Sequence, residues 1–438
     1  MAGLIIGHPS GTVAPAAAKD ARPAGSRTAR MQPVRVAHLV SHPIQYYAPL
    51  YRELASRPEI DLTVYYYSAA SAGEFYDPGF GRSIRWDTPL LDGYRSRFCP
   101  SAGRASLNTG WRGRPNWDVV REIIREPYEV VWLHGYNHPT SLLAALGARF
   151  SGARLLIRED QTLLDRRPWW KRAAKAVILR ALFSQATGLY VGAQNRRYFA
   201  HYGMPPDRLL PTPHCVDNRM FRRRAAELRD ARAAIRAGFG ITDNEPVVLF
   251  CGRLIEKKQP LALVEAYARV REDRPCWLLL VGDGTERGAV QDCVQTRKIP
   301  GVLLAGFLNQ SQLPAAYTAA DLLVLPSARH ETWGLVVNEA MNFGLPIVAS
   351  DKVGCAEDLV RPGWNGFVVP HRDVAALARA IATLVADSQM REAFGARSRA
   401  LVEEYSLERC ATGIVAACVR AAHTYACSDA SEREGAKP

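Results

Sequence analysis

Short apolar runs alternate along this chain with segments whose apolar residues recur at helical spacing. Continuous apolar runs of this kind are typical of strands that are buried on both faces of a parallel sheet. They occur at 34–40, 62–67, 129–134, 154–158, 188–192, 247–251, 277–281, 302–305, 321–326 and 346–350. Helical spacing follows many of them, as at 140–150, 195–202 and 335–343. The pattern therefore predicts an α/β protein in which strands and helices alternate.

Length and composition fit two globular domains. A chain of 438 residues is long for one hydrophobic core, and 48% hydrophobic with 23% charged residues is ordinary for a soluble protein. No apolar run approaches the roughly 20 residues that a membrane-spanning helix needs. The nine cysteines are scattered without a CxxC pair. We therefore expect reduced thiols of a cytoplasmic protein rather than disulfides or a metal site.

The net charge of +13 is unevenly distributed. Residues 1–220 contain 29 Lys and Arg against 17 Asp and Glu, whereas residues 221–438 contain 27 against 26. A basic first half could face nucleic acid, an anionic membrane or a phosphorylated acceptor. Because the sequence has no helix-turn-helix, zinc or RNA-binding signature, we expect no nucleic-acid partner.

Two glutamates lie on either side of a predicted helix start. Glu331 precedes the helix predicted at 335–343, and Glu339 lies about two turns inside it. The first N–H groups, near Gly334 and Leu335, lack intrahelical acceptors and carry the positive end of the helix dipole. A phosphate could bind there, with a carboxylate on each side to accept hydrogen bonds from sugar hydroxyls. The alternative is a first-turn acid and a solvated helix residue.

This stretch resembles the donor-binding segment of the retaining glycosyltransferases called family four. Two glutamates separated by seven residues, then Ala-Met and a Gly-x-Pro turn, form the family signature. The matching positions are Glu331, Glu339, Ala340, Met341, Gly344, Leu345 and Pro346. The resemblance extends over about residues 34–425. It implies that Glu331 is catalytic, near the transferred sugar, and that Glu339 holds the nucleoside ribose. It also implies the GT-B fold, in which two Rossmann-like domains face each other across a cleft and a C-terminal helix crosses back to the first.

The resemblance assigns further donor-binding residues. Arg253 and Lys258 match the pair that neutralises the departing diphosphate, a task suited to an Arg fork and a mobile Lys charge. Gly334 and Leu335 would bind phosphate, and Gly306, Phe307 and Leu308 would lodge the nucleobase. The donor would be a UDP- or GDP-sugar, with no bound cofactor and no metal, since these cations replace one. No Asp-x-Asp metal motif occurs in the sequence.

Acceptor-side residues are predicted at strand ends of the first domain. His134 ends the strand 129–134, where the family places a catalytic His, although a lone loop His can also be structural. Ser41 and His42 follow the first strand, in a His-Pro-Ile-Gln-Tyr segment that resembles one subgroup; their alternative role is helix capping. Glu159 and Asp160 follow the strand 154–158 and are expected to line the acceptor pocket.

A basic, Trp-containing segment at the start of a predicted helix favours a membrane interface. Its residues are Arg166, Arg167, Trp169, Trp170, Lys171, Arg172 and Lys175. An anionic membrane surface is therefore an expected partner, which would make the protein peripheral on the inner face of the plasma membrane. The alternative is a core helix with a solvated basic face.

We predict a disordered extension at 1–30, a first domain at 31–220, a linker at 221–245 and a donor domain at 246–405. A crossover helix at 406–427 and a disordered tail at 428–438 would complete the chain. Met31 precedes the first strand and is an alternative start to Met1. The implied function is a metal-independent, retaining hexosyltransferase of glycan or cell-surface polysaccharide biosynthesis, acting on a saccharide or lipid-linked acceptor. Its alternatives are a non-catalytic docking or assembly subunit, and a nucleotide-sugar epimerase or phosphorylase on the same fold.

Overall fold

The structure, a computed structural model, describes residues 32–99, 115–165 and 168–434, with side chains described to residue 423. The first domain contains strands β1 Val34–Val40, β2 Ile60–Tyr66, β3 Phe75–Asp77, β4 Arg82–Ile84, β5 Arg95–Phe98, β6 Val130–His134, β7 Arg154–Glu159, β8 Ala186–Tyr190 and β9 Leu209–Pro211. The second contains β10 Val247–Cys251, β11 Trp277–Val281, β12 Val302–Gly306, β13 Leu322–Leu325, β14 Ile347–Ser350 and β15 Gly366–Val369.

Helices connect these strands. In the first domain they are α1 Ala48–Ala55, α2 Asp118–Arg125, α3 Pro139–Ser151, α4 Trp169–Phe183 and α5 Ala193–His201. Along the chain, the helices α6 Asn218–Leu228 and α7 Arg232–Gly238 follow the last strand of the first sheet and precede the first strand of the second. The second domain carries α8 Pro260–Asp273, α9 Arg287–Thr296, α10 Leu313–Ala319, α11 Leu335–Asn342, α12 Ala356–Leu359, α13 Val374–Ala386 and α14 Ser388–Val402. The last helix is α15 Leu407–Glu434.

Each domain is built on a parallel sheet, as the continuous apolar runs predict. The first sheet has the order β5-β2-β1-β6-β7-β8-β9, and the second has the order β12-β11-β10-β13-β14-β15. Helices cover both faces of each sheet, so the central strands are buried throughout; Val247 to Phe250, for example, are fully buried. Helix α15 returns to the first domain, where Cys410 and Ile414 pack with Val36 and Trp132. The predicted GT-B architecture is confirmed.

Parallel strands bring the loops after their carboxyl ends to one edge of each sheet. In the first domain these loops follow β1, β7 and β9, and in the second they follow β10, β11, β12 and β13. The two edges face each other, and the loops from both line a shared cleft. The fold thus gathers residues from distant parts of the chain at one place.

Some elements differ from the prediction. The apolar runs predict no strand between residues 68 and 117, but the described part of this region contains an antiparallel β3–β4 hairpin and strand β5, which pairs with β2. The strands of this region are short and mostly polar, so no apolar run marks them. Helix α15 continues to Glu434 rather than ending at 427. Predictions for residues 1–31 and for the end of the tail lie outside the described residues.

No helix in the described part of the chain is both long and apolar enough to cross a bilayer.

Candidate active site

A cleft of about 600 Å³ lies between the two sheets and is lined by both domains. The first domain supplies residues 42–46, part of the β3–β4 hairpin, Asp160 and His214. The second supplies the ends of β10 to β12, Lys258 and residues 331–336 with Glu339. The predicted donor-site residues that line this cleft are Arg253, Lys258, Phe307, Leu308, Glu331, Gly334, Leu335 and Glu339. Residues separated by up to about three hundred positions therefore meet at one concave surface, the usual form of a ligand site.

The floor of the cleft is a close approach of backbone segments. Gly282 follows β11 with φ of +134°, and a Cβ at this position would lie 1.8 Å from the carbonyl oxygen of Gly252. Only glycine fits such a contact. Gly334 precedes α11 with φ of +101°, so the helix begins directly at the cleft. The first-turn N–H groups of α11 are thereby placed where an anion could accept from them.

Glu331 and Lys258 form a nearly buried ion pair in the cleft wall. Their side chains are 12% and 13% exposed. The Glu331 Oε2 atom accepts hydrogen bonds from the Lys258 ammonium and, at 3.0 Å, from the Ser327 hydroxyl. Burial alone would raise the pKa of Glu331, but the Lys258 charge and hydrogen bond outweigh it, so the net pKa is lowered. Glu331 is therefore a carboxylate beside a cation.

Glu339 is buried without a cation. Its Oε2 atom accepts a hydrogen bond from the Tyr317 hydroxyl. Its Oε1 atom, which is also buried, has no hydrogen-bond partner among the described residues. Burial raises the pKa of Glu339 to about 7, against the smaller lowering effects of Tyr317 and the nearby Gln310 amide. A buried carboxylate oxygen without a hydrogen-bond partner lowers the stability of the fold unless a ligand donates to it.

Arg253 reaches across the cleft to the first domain. Its Nη2 donates to Asp77 Oδ2 at 2.7 Å, and its guanidinium carbon lies 5.0 Å from the centroid of the Phe80 ring. The Asp77 side chain is 6% exposed, whereas that of Arg253 is 42% exposed. Lys258 and Arg253 thus contribute two cations to the lining of the cleft.

The predicted nucleobase residues lie under the β3–β4 hairpin. Phe307 packs edge-on against Phe80, with ring centroids 5.0 Å apart, and lies 6.3 Å from Trp86. Leu308 also lines the cleft, while Gly306 ends β12 with φ of +74° and is not among the lining residues. The result is an aromatic, largely apolar end of the cleft beside the two cations.

On the first-domain side, His42 and Asp160 line the cleft. Burial lowers the pKa of His42 to about 4, so its imidazole is neutral at physiological pH, and Ser41 Oγ lies 2.9 Å from its Nδ1. Asp160 Oδ2 accepts a hydrogen bond of 2.7 Å from the Thr332 hydroxyl of the second domain. Burial raises the pKa of Asp160, an effect that this hydrogen bond reduces. Ser41 supports His42 but does not line the cleft.

Two acceptor-side predictions do not match the placement in the structure. Glu159 is 4% exposed and does not line the cleft, since successive residues of β7 point to opposite sides of the sheet. Burial, and to a lesser extent Asp160, raises its pKa, and both of its carboxylate oxygens lack hydrogen-bond partners among the described residues. We therefore remove Glu159 from the acceptor side.

His134 ends β6 as predicted and is partly exposed, but it is not among the residues that line the cleft. Its ring centroid is 4.4 Å from that of Tyr47, and burial, with the Arg158 charge, lowers its pKa strongly. His214, which sequence reasoning did not select, lines the cleft instead, and its buried Nδ1 has no hydrogen-bond partner among the described residues. His134 therefore lies next to the cleft, with part of its side chain still exposed.

Other residues of the site were also missed from the sequence. Asp77 and Phe80 lie in a region without periodicity, and Tyr317 lies on α10, which carries no motif. Only an acidic residue ahead of a Gly-containing turn, Asp77-Pro78-Gly79, gave a local signal, and that signal indicates a turn rather than a ligand. Their roles arise from contacts between distant segments.

Helix α4 is exposed on most of its surface, and the structure corrects one of its predicted contacts. Trp169 is 79% and Trp170 is 56% exposed, and Lys171 and Arg172 are also exposed. Lys175 is not part of this surface, because its ammonium lies over three tyrosine rings at 4.9 to 5.7 Å from their centroids. These cation–π contacts anchor the helix to the domain. Arg166 and Arg167 lie outside the described residues.

Among the described residues, no group of three or more His, Cys, Asp or Glu side chains is arranged to hold a metal ion.

Comparison with known proteins gives a consistent family. Residues 231–401 match the model described as glycosyl transferases group 1. A GDP-mannose-dependent alpha-(1-6)-phosphatidylinositol monomannoside mannosyltransferase from Mycolicibacterium smegmatis is 30% identical over 299 residues, which are 64% of this chain and 73% of that protein. A D-inositol 3-phosphate glycosyltransferase from Geodermatophilus obscurus is 35% identical over 242 residues, which are 53% of this chain and 51% of that protein.

The fold has a counterpart among solved structures. The Anabaena HepE protein in complex with UDP and glucose has a TM-score of 0.65 and 18% identity, over 87% of this chain and 98% of that chain. The chain spans about half the length of several curated relatives that it matches. Because it covers 73% of a relative at 30% identity, and its second domain matches the family model, the chain belongs to the group 1 glycosyl transferases and has their GT-B fold.

Proposed function

We propose that this protein is a retaining hexosyltransferase that moves a sugar from a UDP- or GDP-sugar to a saccharide or lipid-linked acceptor in glycan or cell-surface polysaccharide biosynthesis. Family membership and the composition of the cleft both support this function. The donor would lie on the second domain, with its diphosphate between Arg253, Lys258 and the first turn of α11. Its base would lie at the aromatic end of the cleft beside Phe307.

One observation carries the proposal: the buried Oε1 atom of Glu339 has no hydrogen-bond partner among the described residues. A buried polar atom without a partner costs about 1–3 kcal/mol. A ribose hydroxyl has a donor of the right type, and two cations lie in the same cleft to receive the adjoining diphosphate. A nucleoside diphosphate satisfies both features at once.

The chemistry follows from the charges. The acceptor hydroxyl oxygen forms a bond to the anomeric carbon as the bond from that carbon to the phosphate oxygen breaks. The departing phosphate oxygen takes the hydroxyl proton, so attack and departure occur on the same face and the configuration is retained. Arg253 and Lys258 stabilise the negative charge that the leaving group gains. Glu331 is ionised and positions the reacting sugar, while His42 and Asp160 face the acceptor.

Relatives support the choice of substrates. The Mycolicibacterium smegmatis relative is GDP-mannose-dependent and acts on a phosphatidylinositol monomannoside, and the HepE structure contains UDP and glucose. These names favour UDP and GDP as the nucleotides to test, and a lipid-linked or phosphorylated acceptor as the first acceptors to screen. A catalytic role for His134, which lies beside Tyr47, stays part of the proposal.

Calorimetric titration tests the donor site directly. UDP and GDP are titrated without divalent metal into the wild type, Glu339→Gln and Glu265→Gln. Glu265 is a matched control because it forms a surface ion pair with Arg269 on α8. We expect one nucleotide to bind the wild type and Glu265→Gln alike and to bind Glu339→Gln about tenfold more weakly. If neither UDP nor GDP binds, the nucleoside diphosphates of the other bases are titrated in the same way, and failure of all of them overturns the enzymatic proposal in favour of a docking or assembly subunit.

We also propose that α4 docks on the anionic inner face of the plasma membrane. Trp169, Trp170, Val177 and Ile178 are exposed large apolar side chains on one short helix, and Lys171 and Arg172 are adjacent cations. Aromatic rings and cations together suit the interfacial region of a bilayer. This position would hold the acceptor side of the cleft near lipid-linked substrates.

A further inference from the structure

The β3–β4 hairpin and the residues after it cross the cleft. We call residues 75–87 the strap. The two short strands pair antiparallel, with Phe75 opposite Ile84 and Asp77 opposite Arg82. The strap belongs to the first domain by chain connection, but its tip rests on the second domain. An isolated two-stranded hairpin is only marginally stable, so its contacts with the second domain decide where it lies.

At its far end the strap is tied to the loop after β12. Asn309 Nδ2 donates to the Arg85 carbonyl oxygen at 2.7 Å, and the Ser311 amide donates to Asp87 Oδ2 at 3.1 Å. Phe80 and Trp86 also pack against Phe307. These contacts place the strap over the proposed nucleobase position.

At its near end the strap holds the proposed phosphate-binding arginine. Asp77 uses Oδ1 to accept from the amides of Gly79 and Phe80, which closes its own turn, and uses Oδ2 to accept from Arg253. Gly79 leaves room for this contact, because a Cβ there would lie 2.6 Å from Arg253 Nε and the guanidinium would have to shift. Arg253 Nε is itself buried without a hydrogen-bond partner among the described residues. The guanidinium is therefore partly covered by the strap and forms an ion pair with the Asp77 carboxylate.

A carboxylate and a diphosphate compete for the same cation. Both accept from a guanidinium fork, and two anions close together repel each other. Asp77 and the proposed diphosphate site approach Arg253 in the same cleft, which both Asp77 and Arg253 line. Asp77 is nearly buried but the Arg253 side chain is 42% exposed, so salt should partly screen this competition.

We infer that Asp77 is a positioning residue that keeps Arg253 bound to the strap until a nucleoside diphosphate displaces it, so that donor binding releases the strap. The inference rests on the proposed donor function and adds a control step to it. In the absence of donor, the strap covers the cleft and Asp77 neutralises Arg253. With donor bound, the diphosphate takes over Arg253, and the strap is held only by residues 85–87 and its aromatic contacts.

The test is a charge-only substitution with a matched control. Asp77→Asn keeps an oxygen to close the turn but removes the negative charge. Asp87→Asn removes a strap carboxylate that contacts Ser311 and not Arg253. We expect Asp77→Asn to bind the preferred nucleoside diphosphate about fivefold more tightly than the wild type at about 50 mM salt, with a smaller gain at about 500 mM. Asp87→Asn should bind it as the wild type does.

Two further measurements separate this mechanism from a structural effect. In an Arg253→Ala background, Asp77→Asn should no longer tighten binding, because the competed cation is absent. Hydrogen exchange of the 75–87 peptides should increase when nucleotide is added to the wild type and should already be increased in Asp77→Asn without nucleotide.

Each outcome decides something. Equal or weaker nucleotide binding by Asp77→Asn, or a gain that persists in the Arg253→Ala background, would overturn the inference and leave the proposed function intact. Absence of nucleotide binding in every variant would overturn the proposed function and the inference with it.

Discussion

The two glutamates of the cleft have different surroundings. Glu331 is paired with Lys258, which lowers its pKa, whereas Glu339 is buried beside a tyrosine hydroxyl, and burial raises its pKa to about 7. One residue type thus has two different pKa values because of its surroundings. This difference leads to two predictions about function.

The first prediction separates turnover from donor affinity. Glu331→Ala should lower kcat far more than it weakens donor binding, because its carboxylate acts near the reacting sugar and its removal leaves Lys258 free to bind phosphate. Glu339→Ala should mainly weaken nucleotide binding, since it removes the proposed ribose acceptor. Steady-state kinetics with the identified donor measure kcat, and nucleotide titration measures the affinity. The reverse pattern would contradict the assignment of roles.

The second prediction concerns pH. The ionised form of Glu339 is the better acceptor for a ribose hydroxyl, so nucleotide affinity should fall as the pH drops below about 7, by at most about tenfold per pH unit. Calorimetric titration between about pH 5.5 and 8 measures this change. Glu339→Gln has no carboxyl to titrate and should give a flatter profile. A profile that matches in both proteins would assign the pH dependence to another group.

The free energy of unfolding of the unliganded protein should depend on pH in the opposite direction. The folded-state pKa of Glu339 lies above its ordinary value of 4.5, so the folded state holds the proton more tightly than the unfolded chain does. This contribution to stability is fully present below about pH 4.5 and is lost as the pH rises through about 7. Ligand binding and folding therefore respond to the same proton in opposite directions.

At the scale of elements, helix α11 depends on the residue that precedes it. Gly334 has φ of +101°, and a Cβ there would lie 2.9 Å from Leu325 Cδ2. Gly334→Ala should therefore destabilise the protein by about 1–3 kcal/mol and weaken nucleotide binding, because the helix start shifts. Chemical denaturation and titration measure the two effects.

Gly288→Ala is the control for this substitution. Gly288 lies in α9, and a Cβ there would meet nothing within 4 Å. Alanine is the better helix former, so this change should leave stability unchanged or raise it slightly. Equal effects of the two substitutions would show that the conformation of Gly334 has no special role.

Helix α4 carries the prediction about membranes. Trp169→Ala combined with Trp170→Ala should reduce binding to vesicles that contain anionic lipid, since it removes the two exposed rings, and should leave unfolding nearly unchanged. Lys175→Met should destabilise the fold instead, because it removes the cation from the tyrosine rings. Vesicle co-sedimentation with and without anionic lipid measures the binding. Unaltered binding by the double variant would remove α4 from the proposed surface.

At the scale of the whole molecule, α15 joins the end of the chain to the first domain. Ile414 is fully buried against the first-domain core, whereas Thr412, two residues earlier, is exposed. Ile414→Ala should lower the free energy of unfolding by about 2–4 kcal/mol through the cavity that it leaves. Thr412→Ala should have almost no effect. Similar losses of stability from both substitutions would argue against a structural role for the packing of α15 on the first domain.

Contacts between the domains are numerous and polar. Asp160 accepts from Thr332, Asp165 from the His330 amide, and the His214 carbonyl oxygen from Asn338 Nδ2. Each contact joins a loop of the first domain to the segment around the two glutamates. The active-site loop of one domain is therefore held in place by the other, and the strap adds a further contact of this kind.

Local sequence marked most of the strands and helices and the candidate donor residues. Apolar runs mark buried parallel strands because both faces of those strands must be apolar, and the spacing of Glu331 and Glu339 across a helix start follows from helix geometry. Arg253, Lys258, Phe307 and Leu308 were predicted from the family resemblance, and they lie in loops that follow such strands, where the fold collects ligand-binding residues. These features depend on neighbours in the chain.

Tertiary structure alone decided which groups meet. Asp77 and Arg253 are 176 positions apart, and nothing in the polar segment around Asp77 indicates its partner. The sequence likewise does not indicate that Tyr317 donates to Glu339 or that the Lys175 ammonium lies over tyrosine rings. It also does not indicate that Glu159 points away from the cleft because of the alternation of side chains along β7. Such contacts depend on the packing of whole elements, which periodicity does not encode. The sequence therefore determined what chemistry the cleft contains, and only the folded molecule decided how its charges are paired.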